Sequence, residues 1–261
     1  MINKKIKNLI NLLIPPIIIL AKNKFKNKYF GYLFVEKYFL PDEIENIIIK
    51  DSYLNKNQHF ESLKNFLNED KKILNFNLRS SLVPIFLVGN NKTKFNILDI
   101  GGGFNSCFKY IKFSTNIDIN VTVLERLEIV DDIYKHSEVN KELIYLNNIP
   151  DTKFDIIYYG SSFQYFLHSN QIFADILKIN PEYIIISETT FTINNYDIFS
   201  FQVNMFPSII PYKINSLFKV KSQFNKNGYS IIYESRRSTG KHKHLNQSEI
   251  FTSDLIFKKN D

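Results

Sequence analysis

The stretch FNILDIGGGFNSC, residues 95–107, sets an acid, Asp99, two positions ahead of three glycines, Gly101, Gly102 and Gly103, at the end of an apolar run. Glycine has no Cβ, so a ligand can approach its backbone closely, and it takes the left-handed conformations of a tight turn without strain. Gly101, Gly103 and Ser106 occupy the positions of a G-x-G-x-x-G fingerprint, and Glu125 closes the next apolar run about 20 residues on, where an acid accepts the hydroxyl protons of a ribose. Two ligand chemistries fit this spacing. A nicotinamide dinucleotide brings a pyrophosphate, which Asp99 repels. S-adenosylmethionine brings no phosphate and carries an ammonium and a sulfonium, which an acid attracts. Asp99 therefore favours the sulfonium cofactor, with Gly101 to Gly103 against its methionine part and Glu125 on its ribose. A strand-to-helix turn whose acid caps the helix is the alternative without a ligand.

Further polar residues follow the later apolar runs. Asn147, after the third, is placed to meet an adenine edge or to act only as a turn residue. Ser161 and Gln164, after the fourth, fall on the cofactor side; Gln164 can also reach an acceptor or cap a helix. Tyr165 either stacks on an acceptor or packs in the core. His168 titrates near neutrality and suits a general base, with a solvent-facing helix position as its alternative. Glu188, ending the fifth run, can take a proton, bind a hydroxyl or form a salt-bridged strand end. His242 and His244 alternate with lysines in KHKH and find no third ligand at a recognisable spacing, so no metal is expected. The single cysteine, Cys107, has no basic or histidine neighbour in the sequence and reads as a packing residue.

The elements that must position these residues begin at residue 95. Short β-branched runs, FNILDI, INVTVLE, ELIYL, FDIIYY and EYIIISE, alternate with helix-length segments, the pattern of a parallel sheet with crossover helices. YSIIYES and TSDLIFKK follow with no helix-length apolar stretch between them and read as an antiparallel pair. Residues 29–94 read as mainly helical, with Pro41 as a start signal and Gly89-Asn90-Asn91 as a stop. Residues 189–215, containing Gln202, Asn204, Pro207 and Pro211, are too long for an ordinary loop and read as an irregular cap over the acceptor.

The 261 residues carry a net charge of +7, but seven lysines precede the first acid, Glu36. The remaining 26 basic residues equal the 26 acidic ones, so the body lacks the basic excess of a nucleic-acid binder. The tail, MINKKIKNLINLLIPPIIILAKNKFKNK, holds a proline-broken apolar stretch from Leu9 to Ala21, short of a bilayer span, and no small-residue cleavage site follows it. It reads as a basic amphipathic segment for an anionic membrane face, or as a helix packed on the body. One cysteine excludes an internal disulfide and suits a reducing cytoplasm.

Taken together, LDIGGG at 98–103, SFQYF at 162–166, ETTF at 188–191, Gln202 and the early IPP give a chain that resembles the Rossmann-like S-adenosylmethionine-dependent methyltransferases. More narrowly it resembles a family encoded in bacterial surface-polysaccharide gene clusters, over about residues 96–235. Asn105 stands where the broader motif has a third glycine, and Glu188 where the narrower family has an arginine. The resemblance implies an α/β, mostly parallel Rossmann-like sheet with an antiparallel last strand, occupying residues 95–261 behind a helical extension (29–94) and the basic tail (1–28). It implies S-adenosylmethionine as cofactor and methyl transfer to an oxygen of a sugar, an activated sugar or a sugar substituent in capsule or lipopolysaccharide synthesis. The expected location is the cytoplasm, at the inner membrane face. A nicotinamide-dependent oxidoreductase and a degenerate scaffold of a glycan-assembly complex are the rival classes.

Overall fold

The computed structural model describes residues 33–34, 82–103, 106–108, 111, 116–135, 143–167, 169–203, 209–237 and 249–261. The β-branched and aromatic runs form strands β1 (Leu33–Phe34), β2 (Lys94–Ile100), β3 (Asp118–Leu124), β4 (Ile144–Leu146), β5 (Ile156–Gly160), β6 (Tyr183–Thr192), β7 (Ile198–Val203), β8 (Ile209–Ser216), β9 (Tyr229–Arg237) and β10 (Ile250–Lys259). The helices are α1 (Leu82–Val88), α2 (Leu127–Lys135), α3 (Ser169–Ile179) and α4 (Leu217–Lys226).

The centre of the sheet has the order β4-β3-β2-β5-β6 and is parallel throughout. Strand β10 inserts antiparallel between β6 and β9. Parallel strands covered on both faces need apolar side chains at successive positions rather than at alternate ones. Phe95, Ile97, Tyr158, Ile185 and Ile256 face one core, closed by Leu87 of α1 and by Ile129 and Ile133 of α2. Their neighbours Leu98, Ile100, Tyr159, Ile184 and Phe257 face the other, closed by Ile176 of α3 and Phe224 of α4. Strand β2 sits where the order reverses, with β3 and β4 on one side and β5 and β6 on the other. In open α/β sheets the crevice beyond the carboxyl ends at such a point is where ligands bind.

The antiparallel pair expected at the chain's end is β9 and β10, as read from the sequence. Residues 189–215 differ from the expected irregular cap. Residues 189–192 prolong β6, and β7 and β8 form an antiparallel pair whose second strand rejoins β6 in parallel at Phe191↔Asn215 and Thr192↔Ser216. Leu33 and Phe34, read as part of a helical region, instead pair with β7, a ladder to a distant partner that local pattern does not announce. Helix α1 stops where expected, with the Gly89 N–H bonded to Ile85 O at 2.9 Å. The tail, the remainder of 29–81, Asn105, His168, Asn204, Pro207 and the KHKH cluster lie outside the described residues. No described helix is long and apolar enough to cross a membrane.

Candidate active site

The glycine loop turns the chain sharply at the end of β2. Gly101 and Gly103 have φ of 72° and 61°, which other residues adopt only with strain. The Gly101 N–H donates to Leu124 O at 2.9 Å and ties the loop to the end of β3. A Cβ at Gly101 would lie 2.7 Å from Ser162 Cβ, and one at Gly102 would lie 2.3 Å from Asp99 Oδ2, whereas one at Gly103 would meet nothing within 4 Å. The room left by the first two glycines is thus taken by the protein's own side chains. Only Gly103 has open space on its Cβ side.

Asp99 faces the glycine loop at the backbone of Gly102. It is 1% exposed and lies beneath the loop, its Oδ2 accepting from Ser106 Oγ at 2.5 Å, while Oδ1 is buried with no partner. Burial pushes its carboxyl up to about 7; the Ser106 bond opposes this and the nearby Glu125 charge adds to it. Burial, and then the Asp99 charge, push the Cys107 thiol far above its ordinary range, so Cys107 is a packing residue against the first core rather than a nucleophile.

Glu125 stands at the end of β3, as expected, with Oε2 accepting the Gly103 N–H at 3.1 Å and Oε1 the Arg126 N–H at 3.0 Å. Each carboxylate oxygen has two acceptor positions, so one on each remains for a hydroxyl. The Glu125 N–H donates to Leu146 O at 2.9 Å, which brings the next residue, exposed Asn147, to the same edge.

Strand β5 runs into Ser161, left-handed at φ 58°, whose N–H donates to Ser187 O at 2.9 Å. Ser162 Oγ donates to Ile100 O at 2.5 Å and locks this turn against the glycine loop. The Gln164 Nε2 donates to Ser161 O at 2.7 Å, and its Oε1 is buried without a partner. Tyr165 packs edge-on against Tyr212 of β8, with ring centroids 5.7 Å apart, and Tyr212 shares a 2.5 Å hydrogen bond with Thr190 of β6. Both readings of Tyr165 survive: it borders a core cluster and is only half-buried.

Glu188 is left-handed at φ 50°, beside Ser161. Here Ile186 pairs with Leu255 and Thr189 with Ser253, so Ser187 and Glu188 together oppose Asp254 alone, a β-bulge. Asp254 secures it, Oδ1 accepting from the Glu188 N–H at 2.8 Å and from Ser187 Oγ at 3.0 Å, and Oδ2 from Ser235 Oγ at 2.9 Å. Nothing in the sequence near Asp254 marks it, because its partners come from β6 and β9. Ser162 and Tyr212 were missed for the same reason; only the SFQYF motif pointed near the first.

The carboxyl ends of β2, β3 and β5 and the bulge in the middle of β6 therefore carry Asp99, Gly103, Glu125, Ser161, Gln164 and Glu188. Two buried acceptor oxygens, on Asp99 and Gln164, lack partners there, and Glu125 keeps acceptor capacity. An adenosyl ligand with an ammonium group fits such a donor-poor, acidic edge. Among the described residues no three His, Cys, Asp or Glu side chains are grouped to hold a metal ion.

No protein-family model matches the sequence, and no curated protein matches it. Solved structures do resemble the fold. The 1,6-didemethyltoxoflavin-N1-methyltransferase of Burkholderia thailandensis, with 1,6-didemethyltoxoflavin and S-adenosylhomocysteine bound, is 10% identical over 88% of this chain and 95% of its own, with a TM-score of 0.50. An S-adenosylmethionine-dependent methyltransferase of Clostridium acetobutylicum is 11% identical over 79% of this chain and 100% of its own, with a TM-score of 0.49. At these identities the likeness is one of fold: a Rossmann-like methyltransferase sheet.

Proposed function

We propose that this chain is an S-adenosylmethionine-dependent methyltransferase acting on an oxygen of a sugar, an activated sugar or a sugar substituent in capsule or lipopolysaccharide synthesis, at the cytoplasmic face of the membrane. One observation carries the cofactor: the loop at the end of β2 closes over buried Asp99 and leads its Gly103 N–H to Glu125, an acidic cradle with no counter-cation among the described residues. A pyrophosphate placed there meets the Glu125 carboxylate and, beneath the loop, an acid that gains nothing from it. A ligand with positive groups and a ribose meets complementary ones. The fold shared with the Burkholderia enzyme, which binds S-adenosylhomocysteine, supports the same reading. The acceptor class rests on the resemblance to the polysaccharide-cluster family.

Bound at this edge, the cofactor supplies a methyl group on an already activated sulfonium leaving group. The chain's own task is then alignment and proton removal. Glu125 holds the ribose hydroxyls, and Gly103 offers backbone without a side chain in the way. Tyr165, with Tyr212 and Thr190 behind it, walls the acceptor side. His168 takes the acceptor hydroxyl proton, with Glu188 orienting that hydroxyl or receiving the proton in its place.

Calorimetry with S-adenosylmethionine and with a nicotinamide dinucleotide tests the class. Binding of the first and not the second is expected; the reverse overturns the reading. Cofactor binding with no methylation of any sugar or nucleotide-sugar acceptor favours a scaffold, and mass spectrometry of surface glycans from a deletion strain identifies the missing methyl group.

A further inference from the structure

The unused chemistry in this site is the acid under the loop. Asp99 has no access to water, and among the described residues no cation faces it. From the loop it meets the Ser106 hydroxyl and the Cys107 thiol, from β5 the Tyr158 hydroxyl group, and from the end of β3 the like charge of Glu125. A sealed carboxylate with one neutral donor and no countercharge is unfavourable as an anion. The inexpensive state for an empty site is the neutral acid. Space is no escape, since Oδ2 already fills the position that a Cβ of residue 102 would take.

We propose that Asp99 is a proton-linked specificity determinant: neutral while the site is empty, it releases its proton when a cationic ligand settles on the glycine loop, so that cofactor uptake is coupled to proton release. This rests on the methyltransferase reading and adds to it. The proton on Asp99 goes to solvent or buffer, and the ligand's positive charge, lying across the glycine loop, offsets the carboxylate's charge through space. An anionic dinucleotide gives no such exchange. The acid at position 99 thus discriminates by what it becomes on binding, because its side chain does not reach into the crevice. A neutral Asp99 also leaves Glu125 as the single negative charge in the empty cradle, which spares the site the repulsion of two adjacent carboxylates.

The expected pH dependence has one direction. The carboxyl of the empty site titrates up at about 7. Below that value each binding event must expel a proton, so the dissociation constant rises as pH falls, approaching tenfold per unit. Above it the affinity is flat with respect to this group. The ligand's own α-amino group titrates near 7.7–8.0 and takes up a proton on binding, so release and uptake differ in sign and in pH range.

Titration calorimetry of the full chain with S-adenosylmethionine at pH 6, in two buffers of different ionisation enthalpy, counts the protons. Release approaching one proton is expected, giving way at pH 8 to net uptake by the ligand's amino group; the release at pH 6 is retained in His168→Gln and lost in Asp99→Asn. Infrared difference spectroscopy gives the same answer without a variant, as loss of the protonated-carboxyl band on binding. Binding with no release at pH 6, or release unchanged in a folded Asp99→Asn, overturns the inference and leaves the methyltransferase reading standing. No binding of S-adenosylmethionine at any pH removes that reading itself.

Discussion

In the proposed function Glu125 is the residue on which cofactor affinity should most directly depend. Removing its carboxylate in Glu125→Ala would delete the two charge-assisted hydrogen bonds proposed to a ribose, each about 1.5–3 kcal/mol, and free the Gly103 N–H from its acceptor. Calorimetry should show S-adenosylmethionine binding weakened by several kcal/mol at most. His168→Ala should spare that affinity and lower turnover by roughly 10²-fold, the usual contribution of a general base. Asp99 makes a different prediction, about stability in the empty state. Its carboxyl holds the proton up to about 7 in the fold and to about 3.9 in an unfolded chain. The folded chain therefore binds more protons between those values, and stability falls as pH rises through that window, then levels above 7. In urea titrations Asp99→Asn should remove a loss on the order of 3 kcal/mol between pH 5 and pH 8.

Elements set how these residues meet. The strands of the parallel sheet were legible because the central ones, β2, β5 and β6, are buried on both faces and read as continuous apolar runs, while β3 alternates buried and exposed residues; β2, β3 and β5 fall within a residue or two of their expected bounds. The second half of β6 was not legible. Thr189, Thr190 and Thr192 are buried polar residues whose place is fixed by β8 and β10 rather than by their own pattern. In the site, the glycines and Glu125 announced themselves by spacing, whereas the direction of Asp99 depended on Ser106 and on the Gly102 backbone above it. Asp254 was invisible for the reason that makes it matter: it joins three strands. In Asp254→Ala the Glu188 N–H and the hydroxyls of Ser187 and Ser235 lose their acceptor, at about 1–3 kcal/mol for each group left unsatisfied. Chemical denaturation should show that loss. Glu188→Gly should instead stabilise the fold by about 1 kcal/mol, since glycine takes φ 50° without the cost borne by glutamate, while methyl transfer falls.

At the scale of the whole molecule, charge is divided between two regions. The body is balanced, and the lysines around the stretch from Leu9 to Ala21 account for the net +7. Each lysine near an anionic surface contributes on the order of 1 kcal/mol, and salt screens the attraction. Deleting residues 1–28 is expected to abolish co-sedimentation with phosphatidylserine-containing vesicles and to leave binding of S-adenosylmethionine unchanged. A truncated chain that unfolds would assign the tail to the packing of the body. The sheet itself sets a second division of labour. In the proposed function, cofactor contacts fall to the carboxyl ends of β2, β3 and β5, and the acceptor wall to Tyr212 of β8 and the far half of β6.

That far half is out of phase with the near half. A strand is a wave of period two, and Ile184 and Ile186 are crests on one face of the sheet. Undisturbed, the next crests would be the residues at 188, 190 and 192. Phe191 is found on that face instead, because the extra residue at the bulge shifts the wave by half a period. The shift keeps a phenylalanine in the core and leaves Thr190 to meet Tyr212. Were the strand to run straight through Glu188 without the bulge, everything beyond it would invert, placing Thr190 and Thr192 on the face where Phe191 now sits and Phe191 on the opposite one. A single extra residue thus sets the parity of half a strand, and a shift in register there amounts to an exchange of inside for outside.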